Sequence, residues 1–388
     1  MPAEARLSQE RSYDAVVVGG GVIGLASAWR LGQAGARVAL VERAEHPPAG
    51  ATRVAAGMLA PVGELTFGEP DLLELTLAAA ELYPAFVAEL EEASGVATGY
   101  DVCGALHVAL DRDEAEQLRR VHDLQRSMGL EAEWLAPRRC RELEPGLTPS
   151  LSGGVFAAGE GSIDPRALSA ALLAALAAQG AQVRTGTEVT GALLEGERIV
   201  GVRTAAGEEL RAAAVVLACG AWSGHAGWLP EHARPPVRPV KGQVLELRPP
   251  AGAGAPSGRI VASERVYLVP RPDGRLIVGA TVEERGFDTA VTAGGVHELL
   301  REAYRLLPDV AEMELVEAMA GLRPGTPDNL PVVGPGALEG LVLAGGHFRN
   351  GILLAPLAAA RVVETLAPSS TFVQHAETKG ELVGGEGG

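Results

Sequence analysis

"YDAVVVGGGVIGLASAWRLGQAGARVALVER", residues 13–43, decides the fold. After Asp14 the run to Val18 is wholly apolar, as in a strand buried on both faces. Gly21 to Gln33 carries helical periodicity and stops at Gly35, and Arg37 to Glu42 is a second apolar strand. Together they form one βαβ unit. At its first junction Gly19, Gly21 and Gly24 make G-x-G-x-x-G: a tight turn, a close approach for a pyrophosphate, and close helix–strand packing. The helix N-terminus turns free N–H groups and a positive dipole end toward the phosphates. Glu42, ending the second strand, accepts from a ribose 2′-OH and repels a 2′-phosphate, which disfavours NADP. The glycines alone do not decide between FAD and NAD.

Outward from this unit, the 388 residues are enough for two domains. Apolar residues are 47% and aromatics 4%, so the packing is aliphatic. The formal charge of −16 argues against a nucleic-acid surface. Cys103, Cys140 and Cys219 form no CxxC pair, so neither a disulfide scaffold nor a metal site is expected, and a reducing compartment fits. The charged N-terminus lacks a signal-peptide core, and Ala212–Pro230 is too broken to span a membrane. A cytoplasmic protein is expected.

Residues 44–68 read as loop, 71–95 as a helical pattern interrupted at Pro84, and "GALHVAL" as a strand. The pattern from 113 to 129 is an exposed amphipathic helix ended by Gly129. Asp164 caps a helix that starts with Pro165 and ends at Gly180. Short strands follow to Ala218, and residues 236–320 are dominated by strands. "GLVLAGG" is a last strand, leading into a helix near Asn350–Gly351. The βα units at both ends, with strand-rich blocks between, imply an α/β (α+β) two-domain chain. This layout resembles the FAD-dependent disulfide-reductase-like fold, which implies a discontinuous Rossmann-like FAD-binding domain (12–93, 154–234, 318–368), an antiparallel-sheet substrate domain (94–153, 235–317), and a disordered tail (369–388).

The second informative stretch is "AGGHFRNGILLAP", 344–356, where Arg349 stands among glycines and apolar residues. An arginine stays charged and is costly to bury unpaired. Following a strand and a Gly345–Gly346 turn, the backbone N–H groups of His347, Phe348, Arg349, Asn350, Gly351, Ile352 and Leu353 suit the negative charge of a reduced flavin. Arg349 would project in front of its ring.

"AVVVGGGVIGLASAW", "RVAAGMLAP", "PVKGQ", "YLVPRPDGRLIVGATVE", "AGLRPGTPDNLPVVG" and "GGHFRNGILLAP" occur in that order. Together they resemble the D-amino-acid oxidase-like flavoproteins, and among them the glycine oxidases of thiamine-thiazole synthesis. The resemblance implies that Arg323 grips a substrate carboxylate, that Tyr267 hydrogen-bonds the same carboxylate, and that Arg349 lies at the substrate. A guanidinium fork matches a carboxylate. It also implies an FAD shell of Gly19, Gly21, Val22, Ile23, Gly24, Glu42, Arg43, Ala51, Thr52, Ala56, Gly57, Met58 and Val189. Arg53 and Arg265 depart from the family pattern and bear on substrate preference. Gly321 stands where related sarcosine oxidases carry a flavin-linking cysteine, so the FAD is expected to be non-covalent. Cys219 reads as packing, and no metal is expected.

The implied reaction is oxidative deamination of glycine and similar small amines by FAD and O₂ to an oxo acid, ammonia and hydrogen peroxide. The imine would serve thiazole synthesis, and the protein would be a homo-oligomer, a tetramer by family. Alternatives are a D-amino-acid or sarcosine oxidase or dehydrogenase, a NAD dehydrogenase, and a flavin-binding subunit or nucleic-acid-modifying flavoprotein domain.

Overall fold

The structure, a computed structural model, describes residues 12–367. The readings of the N-terminus before Ser12 and of the tail after Pro368 fall outside the described residues. The first sheet runs in the order Val332–Pro335, Leu341–Gly345, Glu209–Leu217, Tyr13–Val18, Val38–Val41, Gln182–Arg184. Tyr13–Val18 is parallel to both neighbours, with Val16 opposite Val215 and Ala39, and all six of its residues are buried. Its alternation splits between two cores. Ala15 and Val17 face one, with the helices Val22–Gln33, Pro70–Ser94, Pro165–Ala178 and Ala355–Leu366. Val16 and Val18 face the other, covered by residues of Val189–Glu195 and Arg198–Thr204. Burial on both faces is why these strands read as unbroken apolar runs.

The second sheet has the order Glu314–Gly325, Arg238–Arg248, Leu276–Gly279, Tyr267–Pro270, Ile260–Ala262, Ala105–Ala109, Gly153–Ala157, Glu133–Leu135. It is antiparallel as expected, except that Ile260–Ala262 pairs parallel with Ala105–Ala109. Two expected domain borders, 153/154 and 317/318, fall inside strands of this sheet. We propose the same division with those borders moved to 157 and 325.

Three local expectations change. The helix Pro70–Ser94 runs unbroken through Pro84, although proline there removes one backbone donor. Tyr83 and Phe86, each 1% exposed, anchor it on either side, and Phe86 meets Trp29 edge-on at 5.4 Å. Packing outweighs the missing bond. The span 44–68 is not all loop: it holds the short helix Ala51–Val54 and a strand, Met58–Leu59, paired with Gly161–Ser162. The last helix starts at Ala355, not near Asn350–Gly351, and residues 351–354 are turns.

Trp29 is fully buried where these helices meet the sheet. Trp29→Ala is expected to cost about 3–5 kcal/mol, seen as a lower urea midpoint with an unchanged slope.

Candidate active site

A cavity of about 990 Å³ lies between the carboxyl ends of the parallel strands and the second sheet. That is where open α/β sheets bind ligands, and the volume is at the upper end for a small-molecule pocket. At one end Gly19 sits at φ +116°, and a Cβ on it would lie 2.3 Å from the Ala218 carbonyl oxygen. A Cβ on Gly24 would lie 2.0 Å from the Gly19 carbonyl oxygen, so Gly24 buttresses the turn and does not line the cavity. Gly21 differs. A Cβ there would meet only Thr52 Oγ1, at 3.5 Å, so the protein itself leaves this space open toward the cavity. Thr52 Oγ1 accepts from Val22 N–H at 3.0 Å. Glu42 accepts from Gly20 N–H at 2.6 Å and Ala44 N–H at 2.8 Å, which fixes its carboxylate at the cavity wall. Arg43 lies over the Trp222 ring at 4.1 Å.

At the other end, two strands of the second sheet present Arg323 and Tyr267. Gly242 makes room for the first: a Cβ there would lie 2.2 Å from Arg323 Nη1. Gly279, cross-strand partner of Tyr267, makes room for the second, since a Cβ would lie 2.4 Å from its Cζ and Oη. Arg323 Nη1 donates to the carbonyl oxygens of Thr281 at 3.1 Å and Lys241 at 3.4 Å. Among the described residues Arg323 forms no ion pair within 4 Å, and it is half-buried. Burial raises the Tyr267 phenol pKa, while the adjacent Arg323 opposes the shift. At neutral pH the phenol keeps its proton and is a donor.

Arg349 comes to the same region from the 346–354 turns. Phe348, at φ +47°, is held there by its N–H bond to Pro324 O at 2.9 Å, which ties this segment to the Arg323 strand. Arg349 is less isolated than its flanking sequence implies: Nη2 donates to Thr66 Oγ1 at 3.0 Å and lies 3.8 Å from Glu69 Oε2. Those partners lie nearly three hundred residues away. His347 is 2% exposed, its Nε2 has no protein partner, and burial lowers its pKa to about 4. It therefore presents a neutral imidazole at the cavity wall.

The cavity gathers Gly19, Gly21, Val22, Ile23, Glu42, Arg43, Ala51, Thr52, Ala56, Gly57, Met58, Val189, Tyr267, Arg323, His347, Phe348, Arg349, Gly351 and Ile352. Asn350 instead faces a small separate pocket beside Glu69, and Leu353 is buried in the helix core. The fold adds Glu64 to these residues. Burial raises its pKa, and the charges of Arg349 and Arg323 pull it down, so it belongs to the same cluster. A lone glutamate in a loop gave no signal for this. Arg53 pairs with Glu317 at 2.6 Å, away from this cluster, whereas Arg265 is exposed on the cavity lining. Cys219, expected to serve packing alone, also lines the cavity; its Sγ donates to Val18 O at 3.4 Å and burial pushes its thiol up to about 12.

The donor set fits FAD: an open backbone cradle at Gly21, a fixed acceptor at Glu42, and an unpartnered buried His347. Replacing Gly242 with Ala should displace the Arg323 guanidinium. The affinity for acetate, read from perturbation of flavin absorbance, is expected to fall about tenfold or more with flavin content unchanged.

Residues 14–365 match the family described as FAD dependent oxidoreductase (DAO). The chain is 38% identical to the bifunctional protein ThiO/ThiG of Trichormus variabilis over 90% of its length, but spans only 52% of that protein. It is 36% identical to a glycine oxidase of Geobacillus kaustophilus, covering 92% of this chain and 94% of the relative. The crystal structure of glycine oxidase from that organism superposes with a TM-score of 0.85, covering 92% of this chain and 95% of the other. The chain belongs to the DAO family of FAD-dependent oxidoreductases.

Proposed function

We propose that the protein is an FAD-dependent oxidase of glycine and similar small amines, such as sarcosine and small D-amino acids. Substrate, O₂ and water give glyoxylate or another 2-oxo acid, ammonia or the parent amine, and hydrogen peroxide. The observation that carries this reading is Arg323: a half-buried guanidinium with no ion pair within 4 Å among the described residues, beside the Tyr267 phenol, in one cavity with a dinucleotide cradle. A substrate carboxylate supplies the missing countercharge, and such a charge-assisted pair is worth about 1.5–3 kcal/mol.

FAD, when bound, supplies the two-electron acceptor for the substrate's α-C–H bond. The protein's own work is positioning. Arg323 and Tyr267 fix the carboxylate, and with it the α-carbon. Arg349 and Glu64 stand on the same cavity as Arg323, and the charges of the two arginines act on the Glu64 carboxyl. His347, neutral above about pH 4, adds no further cation to those of Arg323 and Arg349. The names of the bifunctional relatives support a role in supplying the imine for thiazole synthesis.

Among the described residues no helix is long and apolar enough to cross a membrane. We keep cytoplasmic location and homo-oligomeric, tetrameric assembly as part of the proposal. The edge strand Glu314–Gly325, with Leu315 and Val316 exposed, supports self-association.

Arg323→Ala is expected to raise KM for glycine by about one to two orders of magnitude while the protein stays yellow. Peroxide release across glycine, sarcosine and D-alanine orders the substrates. Arg323→Ala with wild-type KM, or no peroxide from any of the three, would refute the assignment.

A further inference from the structure

Beneath the Glu64 loop lies a cluster of polar side chains that the reaction does not use. Glu160, 2% exposed, sits in the turn joining Gly153–Ala157 to Gly161–Ser162. Its Oε1 accepts from the backbone N–H of Val62 at 2.7 Å and of Gly63 at 2.6 Å. Gln125, 1% exposed on the helix Arg112–Ser127, donates from Nε2 to the Val62 carbonyl at 2.9 Å. Three side-chain bonds thus grip two consecutive residues. The segment they grip carries Glu64 and Thr66, and Thr66 is the hydroxyl that receives Arg349.

Gly63 is enclosed on its other side. A Cβ there would lie 2.0 Å from His107 Nε2 and 2.8 Å from Glu160 Oε2, both buried atoms without a protein hydrogen bond. Leaving such groups inside a fold is costly unless the arrangement serves something local. What it fixes is the path of the chain two residues before the substrate end of the cavity.

We propose that Glu160 is a positioning residue: it ties the 60–66 segment to the second sheet and so sets where Glu64 and Thr66 stand against Arg323 and Arg349. This rests on the reading of that cavity end as the substrate site. The electrostatics agree with the geometry. Burial raises the Glu160 pKa to about 8, against the two backbone donors and with Glu64 adding to the rise. Burial lowers that of His107 to about 4. Gln125, the neighbour on the third side, does not titrate. Near neutral pH the clamp is therefore largely uncharged, and the ionic groups above it are Glu64, Arg323 and Arg349.

The test compares Glu160→Gln with Glu160→Leu in the flavin-loaded full chain. Glutamine keeps an acceptor at Oε1, so hydrogen exchange of the 60–66 peptide and acetate affinity should stay within about twofold of wild type. Leucine removes it. Exchange should then rise in that peptide alone, and acetate affinity should fall about tenfold, with flavin content unchanged. A pH series adds a readout that packing alone does not give. A carboxyl whose folded pKa is raised loses stability as pH climbs from about 4.5 to 8. Wild type should therefore lose ground to Glu160→Gln across that window.

Unchanged exchange and affinity in Glu160→Leu, or equal damage from glutamine and leucine, would overturn the proposal. If the leucine variant does not fold, Gln125→Leu decides, since it removes the bond to Val62 O alone. Faster 60–66 exchange supports the clamp, and wild-type exchange overturns it. A protein that releases no peroxide but shows the loop responses refutes the proposed function and leaves this inference standing.

Discussion

A guanidinium stays protonated, so a half-buried arginine without a carboxylate must be held by something other than charge neutralisation. Here backbone carbonyls hold Arg323, with the oxygens of Thr281 and Lys241 fixing Nη1. Those neutral acceptors orient the group without cancelling its charge, and that leftover charge is what the rest of the site is arranged around. The two missing side chains at Gly242 and Gly279 follow from it, because each leaves the volume that Arg323 or Tyr267 occupies. So does the register of Glu314–Gly325 against Arg238–Arg248, which sets Arg323 opposite Val240 and diagonal to Gly242.

Such a site needs two sheets held at a fixed offset, because the cradle belongs to one and the arginine to the other. The seam between them is charged. Arg271, 4% exposed, donates to Ile163 O at 3.0 Å and Ala56 O at 2.5 Å, pinning the segment that leads into Gly57 and Met58. Burial lowers its pKa to about 10, with Asp164 opposing, so it still carries its proton. Arg275 bridges Asp164 and Glu246, and Arg166 bridges Glu246 and Glu317. Asp164 is also the N-cap of Pro165–Ala178. One carboxylate thus couples a helix of the nucleotide-binding half to a strand of the other. Charged groups shared this way are costly to leave singly, which makes the seam specific in register.

The sequence made the nucleotide-binding half readable for a simple reason: its constraints are local. Gly19, Gly21 and Gly24 stand within six positions, and strand and helix patterns flank them. Asp164 and Pro165 announced their helix equally well. What stayed hidden depends on distance along the chain. Arg349 looked unpaired because its partners are Thr66 and Glu69; Glu64 looked ordinary because Arg323 and Arg349 reach it only in the fold. Pro84 misled in the opposite direction. A local rule predicted a break, and the Trp29–Phe86 contact together with the buried Tyr83 outweighed it.

The two departures from the family pattern show how far position alone determines role. Both Arg53 and Arg265 are cations that sequence places near motifs of the site. Arg53 is drawn off by Glu317, which it shares with Arg166 in the seam, so it contributes to the register of the halves. Arg265 has no ion pair among the described residues and stands on the cavity lining two positions before Tyr267. Arg265 stands in the bend that leads, through Val266, into the strand Tyr267–Pro270. A positive charge there raises the potential along the approach to Arg323, and salt screens it because the group is exposed. The same residue type thus serves the fold in one place and lines the cavity in the other, and what separates them is whether a glutamate lies within reach.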